Sequence, residues 1–169
     1  MFLSVNRIKG KIQVLPPFVL VIFTTVVLLL IDLLFHYIFY NFNIPHSRSL
    51  PKLLLTAHSD SYLKLFIRFV EVCIIAPVVE TFVFQYLLFV LFCTKFKLNL
   101  NVFYFLGAFV FGLTHFYSVS YIVVTFTICL VFNFVYAALV EAKGKGNAYY
   151  TVVVVHSLYN AVVFVDQFF

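Results

Sequence analysis

Apolar residues in this chain come in long unbroken stretches, not in the alternating or three-to-four spacing of half-buried elements. The first is PFVLVIFTTVVLLLIDLLFHYIFY, residues 17–40. A helix needs about 20 predominantly apolar residues to cross a bilayer, so this stretch predicts a transmembrane helix. A basic start before an apolar run also describes a secretory signal. Here the run is too long and no small-residue cleavage site follows, so a retained anchor is expected. Residues 62–93 exceed what one perpendicular crossing requires at about 1.5 Å per residue. Their first turns carry Lys64, Arg68 and Glu71 and are expected along or beside the membrane surface. Pro77 then marks a kink or a fresh helix start, with residues 77–93 crossing. Residues 98–117 predict a third span, and residues 121–140 a fourth after a Ser-Val-Ser turn. EAKGKGNA, 141–148, reads as a loop, and residues 149–169 predict a fifth span. The connection 41–60 is polar, with Pro45, Pro51 and a candidate interfacial stretch, LPKLLL. The expected fold is all-α: a polytopic membrane helical bundle of about five transmembrane helices, with an interfacial or re-entrant segment allowed for, in one domain over 1–169.

Composition agrees. The chain is 64% hydrophobic and 10% charged, against about 45–50% and about 25% in soluble domains. Its formal charge of +5 therefore reads as topology, and no nucleic-acid partner is expected. With five spans, Arg7, Lys9 and Lys11, then Lys95 and Lys97, then Lys143 and Lys145 share one face, which the positive-inside rule makes cytoplasmic. Arg48 and Lys52 fall on the opposite face. The expectation is a multi-pass protein of the plasma (inner) membrane, in contact with lipid, with a cytoplasmic N-terminus. Cys73, Cys93 and Cys129 are odd in number and set in apolar runs, so packing is their expected role. The 24 Phe and 11 Tyr residues read mostly as lipid-facing packing and interfacial anchors.

Against this background the ionisable residues inside spans stand out: Asp32, His36, Glu80, His115, His156 and, near the end, Asp166. A carboxylate at the bilayer centre costs about 2.5–3.5 kcal/mol on insertion scales, and such residues are functional hypotheses by default. His156 and Asn160 are four apart and share a helix face. Phe111 and His115 have the same spacing, which places an aromatic ring beneath the imidazole, and Glu80 and Phe84 repeat it. Small residues (Ala76, Gly107, Gly112, Ser157, Ala161) permit close helix approach. Counting along the spans puts Glu80, His115 and Asn160 at compatible depths towards one side, with His156 the worst fit. A lone histidine or asparagine in a span is more often structural. Packing tolerates any apolar residue, so Glu, His and His-x-x-x-Asn on three helices together favour function. Asp32 and His36, four apart on the first span, are expected to pair with each other; extending the site is the alternative. His46 and His58 are expected to be solvated.

PVVETFVFQ, FGLTHF and HSLYNA, in this order, resemble the three motifs of the CPBP intramembrane proteases, the CAAX-protease and bacteriocin-processing (Abi) family that includes the type II CAAX prenyl endopeptidases. Those motifs are E-E-x-x-x-R, F-x-x-x-H and H-x-x-x-N or H-x-x-x-D, and the match covers a core at 76–161. The resemblance implies that Glu80 and His115 activate water while His156 and Asn160 support the oxyanion. Phe111 lies in the second motif. The family's second glutamate is Thr81 here and its arginine is Gln85; both positions support the first glutamate in the family.

Amide hydrolysis needs an activated water, a proton for the departing amine and stabilisation of the oxyanion. A carboxyl group in a low-dielectric pocket suits a base that later returns its proton, and a water-filled cavity among the spans is expected. A zinc version would use Glu80, His115 and His156 with an open position. H-E-x-x-H is absent and second-shell partners are poor, so no cofactor is favoured. The expected activity is an intramembrane endopeptidase acting on a peptide or lipidated protein substrate, prenylated CaaX or bacteriocin-like. The alternative is a catalytically silent relative acting in peptide binding or immunity. A proton-coupled carrier ranks last, because no internal repeat accompanies the buried acids and histidines.

Overall fold

The computed structural model describes residues 10, 15–45 and 62–166. Arg7, Lys9 and Lys11, the connection bearing His46, Arg48, Lys52 and His58, and the last three residues lie outside them. The sidedness and interfacial expectations that rest on those residues lie outside them too.

Among the described residues the fold is all-α. Helix α1 is Pro17–Asn41, α2 is Tyr62–Lys95, α3 is Leu100–Thr114 and α4 is Val119–Asp166. Pro17 opens α1, where its missing N–H costs nothing. Three of the four helices, α1, α2 and α4, are long and apolar enough to cross a membrane; α3, with 15 residues, is shorter. Asn99 caps α3 by accepting from the Asn101 N–H at 2.9 Å, and Ser118 caps α4 through the Tyr121 N–H at 3.1 Å.

Two expectations about the elements are corrected. First, residues 141–148 are not a loop. Helical structure runs through them and breaks only at Gly144, whose φ of 79° and ψ of 164° suit a residue without Cβ. One such residue suffices to fold α4 back on itself. The arms 119–143 and 145–166 lie side by side: Phe132 and His156, twelve residues either side of Gly144, bring their ring centroids within 4.7 Å. These arms are the fourth and fifth rods of the sequence reading. Second, α2 does not end before Pro77 but passes through it as one helix, Tyr62–Lys95. It runs unbroken because the turn before the proline, Glu71–Ile75, is a π-helix in which the Ala76 N–H bonds the Glu71 carbonyl. Proline inside an α-helix clashes with the carbonyl four residues back; the wider turn relieves that clash. Glu80 therefore sits near the middle of a 34-residue helix.

The rods alternate in direction. Phe89 meets Phe103 and Phe84 meets Phe111 between α2 and α3, while Phe164 meets Phe69 and Tyr149 meets Tyr86 between the last arm and α2. Lys143 Nζ donates to the Leu15 carbonyl at 3.4 Å and Ser120 Oγ to the Pro45 carbonyl at 2.8 Å, fixing both ends of α1 against α4. Helix α4 is the centre: 61% of its most apolar window is buried, against 28% in α1 and 17% in α2. Phe103, Phe132, Tyr136, Val152 and Val155 form its core with Leu20 and Leu28. Phe18, Phe66, Phe105 and Tyr150 face outward, as lipid contact requires.

Small residues set how closely the rods approach. A Cβ on Gly112 would lie 3.0 Å from the Ile122 carbonyl oxygen and 3.2 Å from Phe126 Cβ. Backbone on the far side cannot swing away. Gly112→Ala is expected to push α3 off α4 and to cost about 1–3 kcal/mol, read as a lower midpoint of thermal unfolding in detergent. Ala at Gly146, where nothing lies within 4 Å, is the control.

Candidate functional site

A cavity of about 170 Å³ opens between α1, α2, the end of α3 and both arms of α4. A water molecule occupies about 30 Å³ in the liquid, so several fit. Glu80, His115, His156 and Asn160 all line it, joined by Asp32 and Tyr121. The three polar heads expected from three separate helices thus surround one cavity.

Glu80 points into this space from the middle of α2, its side chain 28% exposed. Its Oε2 lies 3.6 Å from His156 Nε2. That exceeds hydrogen-bond length, yet catalytic contacts often tighten only when substrate is bound. The depth misfit expected of His156 is absent: it is the imidazole in contact with Glu80. Counting a straight crossing from Pro77 placed Glu80 too near one end. In the continuous α2 it lies level with the middle of the last arm. His156 is buried, packed against Phe132 and edge-on to Phe111 at 6.4 Å.

His115 sits not inside a span but on the residue that ends α3, with φ −104° and ψ 47°. The Phe111 ring lies beneath its imidazole at 4.5 Å, as the four-residue spacing predicts. Its Nδ1 is 2.9 Å from the Phe111 carbonyl oxygen. A carbonyl only accepts, so Nδ1 carries the hydrogen there, and the neutral ring keeps its Nε2 lone pair for another partner. Thr114 Oγ1 is also 3.2 Å from Nδ1.

Asn160, one turn beyond His156, donates from Nδ2 to the Val72 carbonyl at 2.9 Å. This ties the last arm to the π-turn of α2 and leaves the second N–H of the amide uncommitted.

The two departures from the family pattern have their own partners. Thr81 is fully buried, with Oγ1 3.5 Å from His156 Nδ1, the side of the ring away from Glu80. Gln85 is 1% exposed and does not support Glu80. It donates from Nε2 to Asn133 Oδ1 at 2.9 Å and approaches Cys129 Sγ at 3.5 Å. Asn133 Nδ2 in turn reaches the Phe103 and Tyr104 carbonyls at 3.3 and 3.1 Å. Gly107 makes room for this network, since a Cβ there would stand 3.1 Å from Asn133 Nδ2. Gln85 therefore belongs to a buried strut joining α2, α3 and α4.

Among the described residues no group of three His, Cys, Asp or Glu side chains is placed to hold a metal ion. Cys73, Cys93 and Cys129 are free thiols, the first and last buried.

Sequence reasoning missed or misplaced three residues. Asp32, read first as a partner for His36 and second as an extension of the site, is buried and lines the cavity. Spacing along one helix does not show which face of α1 meets α4. Asn133 carried a usable signal, as an amide in the middle of an otherwise apolar span. Tyr121 carried none, because an interfacial tyrosine looks the same.

A family model described as "Rce1-like: Type II CAAX prenyl endopeptidase Rce1-like" matches residues 62–162, which take in α2, α3 and most of α4. No curated protein and no solved structure matches the chain.

Proposed function

The chain belongs to the Rce1-like family of type II CAAX prenyl endopeptidases, and from that premise we propose that it is a multi-pass intramembrane endopeptidase that uses Glu80 as its base. The observation that carries this reading is the placement of the Glu80 carboxylate beside His156, in a cavity that His115 and Asn160 also line. A water between Glu80 and His115 Nε2 loses a proton to the carboxylate as its oxygen bonds the scissile carbonyl carbon. The carbonyl oxygen becomes an oxyanion facing His156 and the free N–H of Asn160; one such donor is worth about 2.7–4 kcal/mol elsewhere. Glu80 then returns the proton to the amide nitrogen. The C–N bond breaks, giving a carboxylic acid and an amine. Thr81 assists if its hydroxyl donates to His156 Nδ1, because the ring hydrogen then sits on Nε2, facing the cavity.

We place the N-terminus in the cytoplasm of the plasma (inner) membrane. Supporting this, the Leu15 end of α1 and the Gly144 turn, with Lys143 and Lys145, lie at one end of the bundle. The substrate is a membrane-presented peptide, with prenylated CaaX and bacteriocin-like segments the two classes to compare. The test is cleavage by the purified full chain in liposomes, using membrane-anchored reporters with and without a prenyl group, before and after chelation. Activity that survives the chelator is expected. Activity lost to it and restored by zinc would overturn metal-free catalysis.

A second reading is a silent relative that binds peptide in the same cavity. Gln85, whose amide serves Asn133 and not Glu80, favours it. Reporter binding without cleavage, under conditions where the fold is intact, would establish it.

A further inference from the structure

The bond from Asn160 to Val72 has a cause in the sequence of α2. In an α-helix the Val72 carbonyl would accept from the N–H of residue 76. Here the Ala76 N–H bonds Glu71 instead, as the π-turn requires. In a π-helix the donor to Val72 would be residue 77, which is Pro77 and has no N–H. Neither helical register supplies Val72 with a main-chain donor, which leaves its carbonyl to a side chain or to the cavity that Val72 lines. Pro77 itself is fully buried. Asn160 Nδ2 fills the vacancy at 2.9 Å from an antiparallel rod.

We propose that Asn160 is a positioning residue as well as a cavity donor: Pro77 creates an acceptor at Val72, and that acceptor fixes the carboxamide of Asn160 in the cavity wall. One N–H is held by Val72. The planar amide then sets the direction of the second N–H, and the same bond locks the His156 arm in register with Glu80, two turns along α2 from Val72. An ionised aspartate at 160 cannot serve, since it would place an acceptor against a carbonyl. This inference rests on the protease reading only for what the second N–H serves. The coupling between Pro77 and Asn160 stands without it.

The experiment is a double-mutant cycle on the full chain in detergent, comparing native protein, Asn160→Ala, Pro77→Ala and the double variant by thermal unfolding. Ala at 77 restores an N–H, so Val72 gains a main-chain donor in either register. Loss of Asn160 should therefore lower the midpoint by several degrees when Pro77 is present and by much less when it is absent. Equal losses in both backgrounds would overturn the coupling. The second readout is NMR of the protein labelled with ¹⁵N-asparagine. The Nδ2 proton of Asn160 that Val72 holds should lie downfield of its free-asparagine position in the native chain and return towards it in Pro77→Ala. Both Nδ2 protons at their free-asparagine positions in the native chain would overturn it. Neither measurement needs turnover, so failure of the protease reading leaves both intact. Where cleavage is measured, Pro77→Ala should lower kcat with KM little changed, because the bound peptide still meets the same cavity wall.

Discussion

Glu80→Gln should abolish cleavage, lowering turnover by about 10²–10⁴-fold, the usual contribution of a positioned acid–base group, while the protein stays folded. The side chains have the same shape, and Glu80 faces the cavity with His156 Nε2 3.6 Å from its carboxylate. A carboxamide fills that place but cannot accept the proton of water. The pair of measurements is turnover in liposomes and thermal unfolding in detergent. His115→Ala belongs beside it, because His115 meets the rest of the bundle chiefly through its stack on Phe111 and contact with Tyr121. A Glu80→Gln protein that cleaves at the native rate would remove the carboxylate from the mechanism and with it the central claim. Loss of turnover together with loss of the unfolding transition would locate the defect in the fold.

Where the sequence was informative, the reason was local. Four-residue spacing placed Phe111 beneath His115 and put His156 and Asn160 on one face, because helix geometry alone decides both. Hydrophobic length placed the rods for the same reason. What spacing could not give was register between rods. Glu80 is shallow if a span starts at Pro77; one π-turn makes α2 continuous and puts the carboxylate at mid-helix. Asp32 reached the cavity because α1 packs on α4, a tertiary fact absent from the pattern DLLFH. The family motif assigns position 85 to the support of Glu80, yet the Gln85 amide turns to Asn133 on the neighbouring rod. That Glu80, His115, His156 and Asn160 share one cavity was legible. The site's supporting contacts were not.

That strut makes position 85 the place where the family's pattern conflicts most strongly with this chain. Gln85→Arg, which restores the family residue, is expected to destabilise the protein by about 3–5 kcal/mol, the range for a buried charge left without its partner. Gln85 is 1% exposed, and its partners are the Asn133 amide oxygen and the Cys129 thiol, with no carboxylate among them. A guanidinium there also evicts the donor that Asn133 uses, and a larger side chain at a buried position strains its surroundings. Adding Thr81→Glu should recover much of the loss. Residue 81 is four back along α2, fully buried, and a glutamate placed N-terminal to an arginine at that spacing is the favourable orientation. Thr81→Glu alone puts a second unpaired acid beside His156 and should be destabilising too. The three variants form a cycle whose coupling energy, read by thermal unfolding, should be large and favourable. A single Gln85→Arg variant as stable as the native chain would mean that a carboxylate already reaches this position. The Gln85–Asn133 strut would then not be what replaced the family's charge pair.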